Sequence, residues 1–129
     1  MTNPSVARSF LLGEVDALEP FDFVAVVPGG RVLNAVEIAR EEDGALQVRV
    51  PGRVGVAPPL DDEVCRGLRD RGFHVEDAED AMKPWTRGAV DGEAAISLLQ
   101  EILVEVFGEK PDAALDIGHG SQRKQHEAR

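Results

Sequence analysis

Apolar residues recur along this chain in two periods, and the change from one to the other marks out its elements. Ala7, Leu11, Val15 and Leu18 return every three or four positions with Phe10 beside them, which is one face of a helix over 5–18. Pro4 and Ser5 suit its start and Pro20 stops it. The period then drops to two. Phe21–Val27, Arg31–Ile38 and Leu46–Val50 read as strands. Gly29-Gly30 and Asp43-Gly44 lie between them, dipeptides that suit tight hairpin turns. A three-stranded antiparallel meander is expected.

The first strand, Phe23-Val24-Ala25-Val26-Val27, is apolar on both faces, so it is central, covered on both sides, or in part a contact surface. Pro51, Gly52, Pro58 and Pro59 break regularity. Asp61 is a suitable N-cap for a second helix, Leu60 is placed to staple against Cys65, and Gly72 ends the helix. The region 74–90 is expected to hold a short hairpin anchored by Trp85. The last helix runs from Asp91 or Gly92 to Phe107 on Ala95, Ile96, Leu99, Ile102, Leu103 and Val106, with Leu98 and Val104 at the margins. The fold class is therefore α+β, an antiparallel sheet packed by N-terminal, middle and C-terminal helices.

One domain is expected over 1–108, followed by a tail over 109–129, mostly polar and partly disordered. Within that tail Ala113, Ala114, Leu115 and Ile117 suit a short strand or packed turn, and fraying is expected beyond Gly118. The tail carries as many cations as anions, so the whole net charge of −10 belongs to the first 108 residues. That charge argues against a nucleic-acid partner and favours basic ones. The single Cys65 fits a reducing compartment, and no signal peptide or membrane-length apolar run is evident, so the expected location is the cytoplasm.

No constellation of residues identifies a reaction, and no cofactor or metal is expected. Gly118-His119-Gly120-Ser121 and Pro28-Gly29-Gly30 lack the lysine and the strand-to-helix setting of a phosphate loop. Cys65 reads as a structural thiol. The enzymatic alternative is a small metal-dependent enzyme built on His74 with Glu76, Asp77, Glu79 and Asp80, which requires those side chains to converge. A structural subunit of a larger complex is a third possibility.

Pro58-Pro59-Leu60-Asp61-Asp62-Glu63, followed by Leu68 and Arg71-Gly72-Phe73, resembles a segment of the actinobacterial YbjN-like and type III secretion chaperone-like proteins. Trp85 and the helix closing in Val106-Phe107-Gly108 are similar to that group's tryptophan and helix end. The resemblance covers about Phe21–Gly108. Where family members often carry an asparagine before the aromatic, this chain has Lys83-Pro84-Trp85. The resemblance implies a secretion-chaperone-like fold, a homodimer, and binding of protein or peptide clients without catalysis. The residues expected to meet a partner are Val24 and Val26, Leu33, Trp85, and Leu98 and Val104. That role requires an exposed apolar patch.

Overall fold

The computed structural model describes residues 4–29, 34–51, 62–76, 83–110 and 114–121, with side chains from Arg8 onward. The elements in chain order are α1 (Pro4–Asp16), β1 (Asp22–Pro28), β2 (Val36–Arg40), β3 (Leu46–Val50), α2 (Asp62–Asp70), β4 (His74–Val75), β5 (Trp85–Ala89), α3 (Gly92–Glu101) and β6 (Leu115–Ser121). A π-helical turn, Ile102–Val106, continues α3. The fold is α+β: one six-stranded antiparallel sheet, in the order β4-β5-β3-β2-β1-β6, packed by three helices.

The meander β1-β2-β3 is present, and Asp43-Gly44 turns as its residues dictate. Gly44 donates its N–H to the Glu41 carbonyl at 2.9 Å and holds φ 89. Asp43 Oδ1 accepts the Ala45 N–H at 3.0 Å. A turn followed by one left-handed residue needs glycine there. Of the tight turn expected at Gly29-Gly30, Gly30 and the residues up to Leu33 lie outside the described residues. The described β1–β2 register ends at Val26↔Val36. Gly29, at φ 54, donates to the Ala114 carbonyl at 2.8 Å, which ties the end of β1 to the chain entering β6.

Alternation along the strands puts Val24, Val26, Val36, Ile38, Leu46, Val48 and Val50 on the face that meets the helices. The helices answer with Leu11, Val15, Leu68, Ile96, Leu99 and Ile102. Asp91 caps α3, its Oδ1 accepting the Ala94 N–H at 2.8 Å. At the end of α2, Gly72 (φ 82) donates to Arg69 and Phe73 donates to Leu68, the paired bonds of a Schellman close. Leu68 and Phe73 are both buried there, so the cap also feeds the core.

The hairpin expected near Trp85 forms between β4 and β5, with Val75 opposite Trp85. The N-cap Asp61 and the Leu60 staple lie outside the described residues, as does Leu33. The short strand expected around Leu115 and Ile117 forms, and it extends past Gly118. Leu115–Ser121 is a seven-residue strand paired along β1 from Asp22↔Ser121 to Pro28↔Leu115. His119, Gly120 and Ser121, where fraying is expected from the polar sequence, lie within it. Residues 122–129 are outside the described set.

Candidate functional site: the groove between α1 and β6

β6 closes one side of the sheet, and α1 crosses the helix-facing side near it. Glu14, Ala17 and Leu18 from α1 and its exit, Asp22 and Phe23 from β1, and His119, Gly120 and Ser121 from β6 line a cavity of ≈ 380 Å³. That is within the size range of small-ligand and side-chain pockets. His119 Nε2 lies 2.6 Å from Glu14 Oε2, linking helix to strand across the groove. Both groups are partly exposed, so this contact fixes geometry more than it adds stability. Asp22 Oδ2 accepts the Glu19 N–H at 3.3 Å, which holds its carboxylate at the groove's end.

Two further features complete the site. Phe10 stands one helical turn before Glu14, and the spacing 10, 14, 17 places Phe10, Glu14 and Ala17 on one stripe of α1. Phe10 is 55% exposed, one of two large apolar side chains so exposed among the described residues; the other is Val90. On the strand, β6 has a single described neighbour, β1, and its outer edge pairs with no described strand. The opposite edge of the sheet is β4, only two residues long. Short edges resist pairing with other chains; a seven-residue edge with one charge and no proline does not.

The other face of the sheet is different in character. Phe23, Ala25 and Val27 are half-buried there, and Ala39 is buried. β1 thus lies between β2 and β6, with apolar residues toward both faces, as its sequence required. Glu37 and Arg49 are direct cross-strand partners on this face, 3.7 Å apart. Burial pushes the Glu37 carboxyl above its usual range, and the attraction of Arg49 offsets part of that shift. Arg49 Nε is buried without a hydrogen-bond partner, and its guanidinium stands 5.8 Å from the Phe23 ring centroid.

The residues expected to meet a partner are placed as follows. Val24 and Val26 are fully buried on the helix-facing side of β1. Trp85 is buried, with the Arg69 guanidinium 5.1 Å from its ring. Leu98 is buried and Val104 half-buried. Val24, Val26, Trp85 and Leu98 belong to the core, and the large apolar side chains exposed among the described residues are Phe10 and Val90.

His74 is exposed at the two-residue edge, and Glu76 pairs with Lys83 at 3.8 Å. Asp77, Glu79 and Asp80 lie outside the described residues. Among the described residues no group of three His, Cys, Asp or Glu side chains could hold a metal ion. No helix among them is long and apolar enough to cross a membrane.

Glu14, Asp22, His119 and Phe10 were not singled out as contacts from sequence. One signal was available. Leu115, Ile117 and His119 alternate with Asp116, Gly118 and Gly120, a period of two that the glycines disguise. Comparison with family models, with curated proteins and with solved structures finds no match.

Proposed function

We propose that this chain is a non-enzymatic protein- or peptide-binding module that takes an extended partner segment along β6, in the groove beside α1. One observation carries the reading: a seven-residue edge strand lies next to a groove walled by a helix. In strand addition, main-chain hydrogen bonds supply affinity and adjacent pockets select side chains. Each such bond contributes about 1 kcal/mol net, so a six- or seven-residue register is enough for useful binding.

Phe10 supplies apolar contact at the rim, and the net charge of −10 favours basic partners and speeds their approach. The resemblance of Phe21–Gly108 to type III secretion chaperone-like and YbjN-like proteins agrees with a client-binding role in the cytoplasm. A homodimer belongs to the same reading, provided that it leaves the β6 edge open.

Amide exchange on the full chain tests it, with peptides selected from a random display library as probes. Slowed exchange is expected along 115–121 and in the groove-facing turns of α1. Peptides that bind while protecting only other elements would move the site elsewhere and end this reading.

A further inference from the structure

The sheet face turned away from the helices has an order of its own. One register row crosses all six strands: Gly118 on β6, Ala25 on β1, Glu37 on β2, Arg49 on β3, Thr86 on β5 and His74 on β4. Its two ends are exposed and its four middle residues are half-buried, so the row is neither core nor open water.

The charged pair at its centre is incomplete. Glu37 Oε1 and Arg49 Nε stand 3.7 Å apart, too far for a hydrogen bond, and Nε is buried with no hydrogen-bond partner. A polar group taken out of water in this way costs stability until an acceptor reaches it. The ring of Phe23, 5.8 Å from the guanidinium, offers attraction but no lone pair.

We infer that this face is where two copies of the chain meet, on a two-fold axis that sets each Glu37 against the partner's Arg49. Charge is what selects a second copy. At a net charge of −10, two chains repel each other in most orientations. Here an anion and a cation lie side by side on neighbouring strands, and a half-turn about an axis between them lays each over its opposite. The four groups then alternate in sign, and each guanidinium fork has carboxylates on two sides.

Shape agrees with this. Gly118 and Gly88 are exposed and Ala25 is short, so the sheet floor is low around the pair. Two such floors reach the usual spacing of packed sheets, about 10 Å, with Phe23 and Arg49 filling the space between. A face-to-face pair does not use the outer edge of β6, so the inference goes beyond strand addition and does not depend on it.

Sedimentation of the full chain tests it, together with three variants. The natural chain should dimerise with a Kd below about 100 μM. Gly118→Arg puts bulk and charge on an exposed end of the row, where a Cβ meets nothing within 4 Å, and should weaken the dimer at least tenfold without disturbing the fold. Glu37→Arg and Arg49→Glu should each be monomeric alone, since like charges then face each other, and should form a dimer when mixed. Pairing across the axis gives that rescue; pairing within one chain does not.

A natural chain that stays monomeric at that concentration overturns the inference. So does a dimer that Gly118→Arg leaves intact, and this variant decides the matter should the charge reversals unfold the chain. Folded charge variants that stay monomeric when mixed remove the Glu37–Arg49 pairing and the two-fold axis with it.

Discussion

Gly120 on β6 lies directly under the ring of Phe23, its register partner on β1. A Cβ at position 120 would overlap that ring, so the contact needs glycine on one strand and an aromatic on the other. A large apolar side chain here covers backbone that glycine leaves bare, and the two residues join β6 to the sheet on the face away from the helices. Edge glycines are weak strand formers alone; an aromatic across the ladder supplies what they lack.

Gly120→Ala should therefore cost about 1–3 kcal/mol, because the ring must shift or the strands must part. Denaturant unfolding checks the value. Phe23→Ala on the same background should remove most of that penalty, so the two changes should be strongly non-additive. Additive losses would mean that Phe23 and Gly120 are not packed on each other.

A second prediction concerns the cap of α3. Asp91 accepts the Ala94 N–H, and Gly92 next to it is buried against α1, where a Cβ would meet Asp16 Oδ1 and Leu12 Cδ1 at 2.9 Å. Asp91→Ala should cost about 1 kcal/mol through the lost cap. Gly92→Ala should cost as much or more through the α1–α3 contact. Thermal unfolding of each variant reads both.

Glu37 gives a pH dependence with a definite sign. Burial raises its carboxyl, so the folded chain holds a proton that the unfolded chain has already released. Its contribution to stability is complete below the unfolded carboxylate value and is lost as pH rises through the folded one. Glu37→Gln does not titrate. Its stability relative to the natural chain should therefore rise from about pH 4 toward pH 7. A difference that is flat over that window, in paired urea titrations, would mean that Glu37 is not desolvated.

Phe10 separates binding from stability. Its ring is more than half exposed, so Phe10→Ser should leave the unfolding midpoint nearly unchanged while weakening peptides that protect β6 several-fold. Trp85 is the opposite case. As the sole tryptophan in a chain without tyrosine, and buried, it should report global unfolding by fluorescence and stay silent on peptide binding at the groove.

What the residue order disclosed follows from which contacts are local. The turn at Asp43-Gly44, the Gly72 close of α2, the face of α3 and the β4–β5 hairpin are all set within a few residues, and each is legible in the sequence. The hydrogen bond of Gly29 is not, because it goes to Ala114, a partner far along the chain. β6 is the sharpest example. Gly118-His119-Gly120-Ser121 has loop composition, and it becomes strand only because β1 lies alongside and Phe23 covers Gly120. The groove was hidden for the same reason, since its walls come from residues near 14, 22 and 119. Val24, Val26, Trp85 and Leu98 are apolar enough for a partner surface; the helices above the sheet account for them instead.

The pairing of β1 with β6 also has a consequence for synthesis. β1 is made well before the strand that lies along it, with β2 through α3 synthesised in between. Until Leu115–Ser121 emerges, the flank of β1 that will receive it stays uncovered, and the nascent protein carries an adhesive margin that the finished one has sealed. Slow translation between β1 and β6 would prolong that exposure, and a nascent chain stalled before Leu115 would be the form most prone to clump.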